Sequence, residues 1–478
     1  MKISMKEVIE KIQLKQVESM NSDIYELKEC IGEGGQGAVY RTQRKNLLVK
    51  LSYMSKDGTE NVIKGQYRRY ATLRGRWDLS SYLAKPLCEL KLVQKGKIIV
   101  YGYVMELMED MVSLQSLFRK NTEKPQEYIT RMGGIRRMYI ILRKVAEILD
   151  SIHSIGYVYG DLNPNNVFVS EDPAYFEVQL IDCDNLMLAA DYDCIIHFPG
   201  YGAPELINGQ CKNNSISDTW SFAVLAFFTL RQVNPFRGKM VMEANTMELS
   251  SIESKAEKAE LPFIDESEEN SSSSALPLDV MEAPKLQQLF VKTFGKGSSS
   301  FTRPTLQEWI NALKECEYQF VKCANSACGA VYLKYSGISQ CPFCDGKSMG
   351  PFVVCKKMVR FDQACVPFDA RTIVCDMPIK LEIPIAEYKM LQMELYLDPT
   401  TKKIHITQFG DDDIAVEWSI KSISTKKKGK IVKLQSHGST AFSVINGEKN
   451  YLQFPEYTFN DGNKARGVIE FACRGLDG

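Results

Sequence analysis

The pattern of apolar and polar positions divides the chain into three parts. From Ile24 to about Glu315, short alternating segments come first and longer stretches with helical periodicity follow. This order predicts an α+β unit in which a small β-rich part, residues 24–108, precedes a larger helical part, residues 109–315. Residues 1–23 alternate charged and apolar side chains, which predicts a short amphipathic helical extension.

The last part of the chain again alternates apolar and polar residues. It follows a segment dense in Cys and Gly, residues 321–349. Stretches such as IKLEIPI, KIHITQF, DIAVEWSI and IVKLQS are separated by Asp, Pro, Gly and Lys turns. Residues 352–478 are therefore predicted to form an all-β, antiparallel domain of four or more strands.

Composition narrows the class of protein. The chain has 478 residues, a formal net charge of +0, 44% hydrophobic and 25% charged residues, which fits two or three globular domains and indicates neither nucleic-acid nor membrane binding. The N-terminus lacks the apolar segment of a signal peptide. The longest apolar run, in SFAVLAFFTL, is far below the roughly 20 residues that cross a bilayer. We therefore expect a cytoplasmic protein without a nucleic-acid or membrane partner.

A glycine-rich stretch, IGEGGQGAVYRT, supplies Gly32, Gly34 and Gly37. Their spacing alone also fits a dinucleotide-binding fold. The residues that follow, AVYRT, QRKN and LLVKLS, predict two strands joined by a polar turn rather than a helix. Glycines at a hairpin tip let backbone N–H groups close over phosphates. Lys50, on the second strand, is placed to neutralise those phosphates.

The stretch GYVYGDLNPNNVFV places Asp161 before a turn of Asn and Pro, with Asn166 five residues later. A polar loop between two strands would explain this turn on backbone grounds alone. A second strand, in VQLIDCDN, ends in Asp182. Two aspartates and an asparagine at strand ends, facing a glycine hairpin and a lysine, can hold Mg²⁺ on a nucleoside triphosphate and orient an acceptor hydroxyl.

In chain order, the motifs GEGGQG, LLVK, YGDLNPNN, DCD, APE, DTWSF and RP resemble those of the eukaryotic-type (Hanks-type) protein kinases. The resemblance implies a bilobal kinase fold that uses ATP and Mg²⁺ to phosphorylate a protein substrate. Asp161 would orient the acceptor hydroxyl, Asn166 and Asp182 would bind magnesium, and Lys50 would hold the α- and β-phosphates.

The resemblance also implies the residues around ATP. The backbone of Glu106 and Met108 would bind the adenine base at the end of an apolar strand. Three further residues, Glu205, Asp218 and Arg303, match positions that brace loops and do no chemistry. The full implied ATP-binding set is Ile31, Gly32, Gly34, Gly35, Gly37, Val39, Lys50, Glu106 and Met108.

Several positions depart from the family pattern. Tyr159 and Gly160 stand where the family usually has His-Arg, Asn163 stands where it has lysine, and Cys183-Asp184 replaces Phe-Gly. These differences leave open a nucleotide-binding pseudokinase scaffold that recruits partners.

The helix that should follow Lys50 also lacks a clear glutamate. Arg69 stands near the expected distance, and the only nearby acid is Glu60. A missing lysine–glutamate ion pair would leave Lys50 less firmly positioned. The joint presence of Lys50, Asp161, Asn166 and Asp182 nevertheless favours an active kinase, of serine/threonine type, over the scaffold.

The segment between the second aspartate and the APE motif, residues 183–202, contains no serine or threonine. The arginine that would pair with a phosphate there is replaced by Gly160. We therefore expect control by other parts of the chain or by a partner. We also expect the segment to be held by apolar packing through Ile195, Ile196 and Phe198.

Four cysteines have the spacing of a metal site. Cys323 and Cys328 form one close pair, and Cys341 and Cys344 form the second. Four thiolates on two turns can bind one structural, tetrahedral Zn²⁺, although four unligated buried cysteines would be the alternative. The four histidines are dispersed, and each is predicted to be a surface or packed residue: His153, His197, His405 and His437.

The combination of GDLNPNN, LPFIDE and RPTLQEW is most similar to bacterial kinases associated with tellurite-resistance or phosphatase partner modules. Kinases of that group often carry a C-terminal zinc ribbon. This similarity implies a partner phosphatase or regulatory protein in addition to the protein substrate.

Overall fold

We describe the protein from a computed structural model. The described residues are 4–34, 37–55, 60–75, 82–191, 195–317, 319–323, 325, 327–334, 340–344, 346, 352–361, 364–374, 378–398, 400–420, 429–445, 447–460 and 462–474. The chain divides into two compact units: Met1–Gly133 with Ile140–Leu276 and Gln287–Ile310, and Gly134–Tyr139 with Pro277–Leu286 and Asn311–Gly478.

The first unit begins with a twisted antiparallel sheet and two helices. The sheet has the order β1-β2-β3-β4-β7-β5. Strand β6 pairs with the N-terminal end of β7, and β5 pairs nearer its C-terminal end. The elements are α1 (Met5–Lys11), β1 (Gln16–Glu18), β2 (Ile24–Gly34), β3 (Gly37–Thr42), β4 (Leu47–Ser55), α2 (Glu60–Gly75), β5 (Cys88–Glu89), β6 (Val93–Lys95) and β7 (Ile98–Glu106).

The segment 1–23, predicted to be a helical extension, contains helix α1 and strand β1. A capping box starts α1, because the Ser4 hydroxyl accepts the Glu7 N–H and the Glu7 carboxylate accepts the Ser4 N–H. Met5 and Ile9 of α1 lie in one apolar core with Val49 of β4. Strand β1 pairs with β2, so helix α1 and strand β1 both belong to this sheet and its core.

Helices dominate the following residues. The strands here are short and form two small sheets, β8-β10-β11 and β9-β12. The elements are β8 (Met111–Ser113), α3 (Pro125–Arg131), α4 (Ile135–Ser154), β9 (Tyr157–Val158), β10 (Val167–Ser170), β11 (Val178–Leu180), β12 (Met187–Leu188), α5 (Pro204–Ile207), α6 (Ser215–Arg231), α7 (Lys239–Met242), α8 (Leu249–Glu257), α9 (Leu278–Met281), α10 (Pro284–Phe294) and α11 (Leu306–Cys316).

Helix α6 is the centre of this helical part. Asn214 caps it by accepting the N–H groups of Ile216 and Ser217. Nearly every residue from Ser217 to Arg231 is buried, which explains why its sequence is apolar on all sides. Ring contacts surround the helix through Phe222, Phe227, Phe290, Phe294 and Trp309.

The second unit is rich in antiparallel strands. One sheet has the order β16-β15-β25-β23-β20-β21, with β24 on β25, and the other has the order β17-β18-β19-β22. Strands β13 and β14 form a separate hairpin. The elements are β13 (Phe320–Lys322), β14 (Val331–Leu333), β15 (Phe352–Phe361), β16 (Ala364–Val374), β17 (Ile379–Ala386), β18 (Lys389–Asp398), β19 (Lys403–Gln408), β20 (Ile414–Ile420), β21 (Lys430–Leu434), β22 (Ser439–Ser443), β23 (Lys449–Gln453), β24 (Tyr457–Thr458) and β25 (Lys464–Arg474).

The two large sheets of this unit share one apolar core. Alternate residues of β17 (Ile379, Leu381 and Ile383) face Ile469 and Phe471 of β25 within it, as the period of two in a half-buried strand requires. Within the described parts of the chain, no helix combines the length and apolar character needed to span a membrane.

Candidate active site

Lys50 and Asp182 form a direct ion pair. Lys50 lies on β4, opposite Val39 of β3, and its Nζ is 2.6 Å from Asp182 Oδ1. The lysine side chain is 9% exposed and the aspartate side chain 23% exposed, so the pair is largely shielded from water. Asp182 has a left-handed backbone, φ 61 and ψ 61, a conformation that non-glycine residues adopt at a cost and that is frequent at functional sites.

The glycine hairpin joins β2 to β3. Gly32 pairs with Val39, and Gly34 pairs with Gly37. A Cβ on Gly37 would lie 2.2 Å from the carbonyl oxygen of Leu51, so this position accepts no side chain. Ile31 of β2 is exposed. The predicted phosphate-binding residue Gly35 lies outside the described residues.

Asp161 lies on a loop that two asparagine amides hold in place. Asn166 Nδ2 donates to the Asp161 carbonyl at 2.9 Å and approaches its Oδ2 at 3.4 Å. Asn163 Nδ2 donates to the same carbonyl at 3.0 Å and to Oδ1 at 3.3 Å. The sequence-predicted residues Asp161 and Asn166 are thus brought together on one loop, with Asn163 as a second amide.

Burial raises the pKa of Asp161 to about 6, and repulsion by the Asp182 carboxylate adds to the shift. The amides of Asn163 and Asn166 and the charge of His197 act in the opposite direction. A carboxylate of this kind can accept a proton near neutral pH.

The residues that depart from the family pattern before Asp161 have structural explanations. Gly160 has φ 82, a left-handed conformation that glycine adopts without strain. The carboxylate of Asp218 accepts the backbone N–H of Tyr159 at 2.8 Å and of Gly160 at 2.9 Å. The Tyr159 hydroxyl donates to the carbonyl of Ile181, directly before Asp182. Tyr159 therefore connects the two aspartate loops.

Asp218 and the pair Glu205–Arg303 brace loops, as the resemblance implies. Asp218 also contacts His153 Nε2 at 2.9 Å. Arg303 forms a bidentate pair with Glu205, at 2.8 and 3.2 Å, and its guanidinium lies over the Trp220 ring at 4.8 Å. None of these contacts involves the Lys50–Asp182 pair, which agrees with a structural role.

The predicted adenine contacts lie where β7 ends. Glu106 pairs with Leu47 in the β4–β7 register, and the N–H of Leu107 donates to Asn46 at 2.8 Å. The Leu107 N–H is therefore already used within the protein. The binding of adenine by the backbone of Glu106 and Met108 stays a prediction.

The expected apolar packing of the segment before the APE motif is wrong for Ile195, which is 45% exposed. Phe198 is 36% exposed, but its ring contacts the Tyr201 ring edge-on at 5.8 Å. Polar contacts also hold the segment, since the side chain of Asn213 bonds both the N–H and the carbonyl of Ile196. Tyr201 is buried, and burial raises its pKa.

Two residues near Asp161 escaped the sequence analysis. Asn213 contacts the carbonyl of Gly160, and His197 lies close enough to Asp161 to affect the pKa of its carboxyl. His197 was predicted to be a surface or packed residue. It is six residues before Ala203, where no motif identifies it, and only the folded chain brings it to the catalytic loop.

The four cysteines of the predicted metal site converge in the second unit. Their sulfur atoms all lie within 4.8 Å of one another, with Cys323 and Cys344 at 3.6 Å and Cys328 and Cys341 at 3.9 Å. These separations exceed the roughly 2.05 Å of a disulfide. Tetrahedral Zn–S bonds of about 2.3 Å would place sulfur atoms about 3.8 Å apart. The four cysteines therefore fit a bound Zn²⁺ ion.

Comparison with known proteins gives a family. The protein kinase domain family matches residues 25–312. Protein kinase YegI of Escherichia coli strain K12 is 22% identical over 328 residues, which cover 66% of this chain and 47% of that protein. Human ribosomal protein S6 kinase alpha-2 is 36% identical over 222 residues, or 45% of this chain and 28% of that protein.

Human ribosomal protein S6 kinase alpha-3 is 35% identical over a shorter stretch of 114 residues, 23% of this chain and 15% of that protein. The chain spans about half the length of the bacterial relative and smaller shares of the human ones. The family match, however, covers more than half of the 478 residues and includes every residue of the cleft described above. The chain belongs to the protein kinase family.

Proposed function

We propose that the chain is an ATP- and Mg²⁺-dependent serine/threonine protein kinase. The observation that carries the proposal is the Lys50–Asp182 pair at 2.6 Å, together with the hydrogen bond of 3.0 Å from the Ile181 N–H to the Asn166 carbonyl, which joins the two aspartate loops. A lysine, two aspartates and an asparagine in one cleft are the side chains that phosphoryl transfer requires.

In the proposed reaction, the acceptor hydroxyl oxygen forms a bond to the γ-phosphorus of ATP. The bond from that phosphorus to the bridging oxygen of the β-phosphate breaks, and ADP leaves. The hydroxyl proton passes to the Asp161 carboxylate. Lys50 would then exchange its contact with Asp182 for contacts with phosphate oxygens.

The donor atoms fit magnesium, which prefers oxygen ligands. Asn166 uses its Nδ2 for the bonds to Asp161, which leaves its Oδ1 for a metal. Asp182 keeps a partly exposed carboxylate with one oxygen on Lys50. Bound Mg²⁺ would supply positive charge to the phosphate oxygens, and Asn166 and Asp182 would hold it.

The cysteine cluster supports a structural zinc site. The four coordination positions of a tetrahedral zinc ion would be filled by Cys323, Cys328, Cys341 and Cys344, which leaves no open position for catalysis. The buried residues Val321 and Tyr332 pack around these cysteines together with Phe352, the first residue of β15. We propose that the zinc ribbon formed in this way stabilises the second unit. A partner phosphatase or regulatory protein stays a prediction.

Purified full-length protein, incubated with labelled ATP and Mg²⁺ and a panel of protein substrates, tests the proposed activity. We expect label on serine or threonine with wild type and none with Asp161→Ala or Asp182→Ala. A wild type that binds nucleotide but transfers no label would support the pseudokinase scaffold instead.

A further inference from the structure

A groove with a volume of about 810 Å³ lies beside the end of β7, within the first unit. Its lining comes from residues 106–111, which run from β7 into β8, and from residues 170–179, which run from the end of β10 into β11. The Glu171 N–H donates to the Asp110 carbonyl at 2.9 Å, and Met111 pairs with Ser170. Backbone bonds therefore hold the two lining segments together.

Six carboxylates line this groove, and no lysine, arginine or histidine of the described residues lines it. We call it the acidic groove, and its carboxylates are those of Glu106, Glu109, Asp110, Glu171, Asp172 and Glu177. Two of the six already have partners in the chain. The Ser170 hydroxyl donates to Glu177 at 2.7 Å, and this bond and the charge of Lys144 lower the pKa of Glu177. The Asp172 carboxylate accepts the Ala174 N–H at 2.8 Å.

The other four carboxylates, those of Glu106, Glu109, Asp110 and Glu171, have no hydrogen bond or ion pair within the described part of the chain. Composition does not explain this, because the chain has 59 acidic and 59 basic residues. Asp110 and Glu171 are bonded through their backbones, so two negative charges lie on adjacent backbone positions, and neighbouring like charges destabilise a fold. A cationic ligand would offset this repulsion.

A single metal ion does not fit the acidic groove. Among the described residues, the four cysteines of the second unit are the only group of three or more ligand side chains close enough to hold one ion, so the carboxylates of the groove do not converge on a point. The groove also presents the rings of Tyr82 and Tyr175, which are 50% and 59% exposed. Aromatic faces attract ammonium and guanidinium groups, and lysine and arginine stems cover apolar surface. Dispersed carboxylates beside exposed rings therefore favour several basic side chains of an extended peptide.

We propose that the acidic groove binds a basic segment of the protein substrate, away from the residue that accepts the phosphate. In this complex, lysine or arginine side chains pair with Glu109, Asp110 and Glu171, and one of them lies against the Tyr175 ring. The groove selects substrates by charge and takes no part in phosphoryl transfer. The inference rests on the proposed kinase function and names its substrate class: proteins with a lysine- or arginine-rich segment.

Direct binding to the purified chain tests the recognition of charge. The probes are a fluorescein-labelled peptide that contains serine and several arginines, and a peptide of the same length with glutamine at each arginine position. The groove variant is Asp110→Asn with Glu171→Gln, and the control variant is Glu268→Gln with Glu269→Gln, which removes two charges from an exposed loop. Asparagine tolerates the left-handed backbone of residue 110, φ 54, so the groove variant keeps its fold.

We expect wild type to bind the arginine peptide at least about 10-fold more tightly than the glutamine peptide, with a preference that weakens as salt is raised. The groove variant should lose about 5- to 10-fold in affinity for the arginine peptide, whereas the control variant should bind it as wild type does. In transfer assays, the groove variant should raise the KM for the arginine peptide by the same factor and leave kcat unchanged. Thermal unfolding should show no loss of stability in either variant.

The outcomes separate the inference from the function on which it rests. Equal affinity of wild type for both peptides, or an unchanged affinity in the groove variant, would overturn the inference. Equal losses in the groove and control variants would also overturn it, since they would reflect net charge alone. Calcium titration covers a different occupant: Ca²⁺ binding that the groove variant lacks, without a preference of wild type for the arginine peptide, would make the groove a cation site and not a docking site. A wild type that binds the arginine peptide through the groove but transfers no label would instead refute the proposed kinase activity, and the groove would then bind a basic partner that is not a substrate.

Discussion

At the scale of single residues, the two aspartates of the cleft have different surroundings. Lys50 pairs with Asp182, whereas Asp161 faces two amides and a second carboxylate. Such a difference lets one carboxylate hold a cation while the other exchanges a proton.

The raised pKa of Asp161 gives a pH prediction. Its pKa of about 6 lies above the ordinary value near 3.9, so the folded enzyme protonates this carboxyl at a higher pH than a solvated aspartate. Because only the ionised form accepts the hydroxyl proton, we expect kcat/KM to fall as the pH is lowered through about 6. A pH profile with folding checked by circular dichroism measures this. A flat profile between pH 5 and 7 would contradict the role given to Asp161.

Some of the site could be predicted from sequence because it depends on residue type and order. Lys50 follows from a glycine hairpin, and Asp182 from an apolar strand that ends in an acid. The sequence does not explain why glycine stands at position 160, because the explanation is the left-handed backbone angle of that residue, φ 82. His197 could not be predicted either, because the Asn213 bridge joins segments far apart in the chain.

At the scale of elements, helix α1 contacts the glycine hairpin. The Glu33 carboxylate accepts the backbone N–H of Lys6 at 3.0 Å, and this bond lowers the pKa of Glu33. The sequence analysis treated residues 1–23 as an extension, since nothing local indicates that their apolar side chains complete the core of the β sheet.

We expect Glu33→Ala to raise the KM for ATP a few-fold and to leave kcat nearly unchanged, because the hairpin would lose its contact with α1 but not its catalytic groups. Steady-state kinetics with varied ATP measure the effect, and Glu26→Ala, on the same strand but paired with Lys28, is the control. A fall in kcat with constant KM would show that α1 does not act through the hairpin.

The ion pair of Glu205, in α5, with Arg303, in the loop before α11, should stabilise the first unit. Arg303 and Glu205 are 4% and 14% exposed. Glu205→Gln leaves the buried arginine charge without an anionic partner, and we expect a loss of about 3 kcal/mol in the free energy of unfolding of the first unit. Urea unfolding followed by tryptophan fluorescence measures it, with Trp220 beside Arg303. Asp23→Asn, in the exposed pair with Arg44, should cost less than about 1 kcal/mol. Equal effects of the two substitutions would be inconsistent with this account.

At the scale of the whole molecule, the two units should respond differently to loss of metal. Burial raises the pKa of Cys341 to about 12, so without a metal this thiol stays protonated, whereas zinc would bind it as the thiolate and release a proton. We expect one zinc per chain and local unfolding of the ribbon on chelation, with ATP binding by the first unit preserved. Elemental analysis and nucleotide binding measure both. Protein purified without chelator that contains no stoichiometric zinc would exclude the site.

The alternation of apolar and polar residues predicts strands in residues 352–478, because it reports which face of a strand is buried. It does not predict how the strands are ordered, since pairs such as β15 with β25 join residues more than 100 positions apart. For the same reason the sequence does not predict that Ile195 is exposed, because the apolar composition of its segment says nothing about the polar bonds of Asn213.

The central claim is that this protein kinase transfers phosphate with Asp182 as a metal ligand, and one measurement tests it most directly. Transfer of labelled phosphate from ATP is compared for wild type and Asp182→Asn at saturating Mg²⁺, with thermal unfolding of both proteins as the control for folding. We expect measurable transfer by wild type and a loss of at least about 100-fold in folded Asp182→Asn. Undiminished transfer by the folded variant would contradict the account.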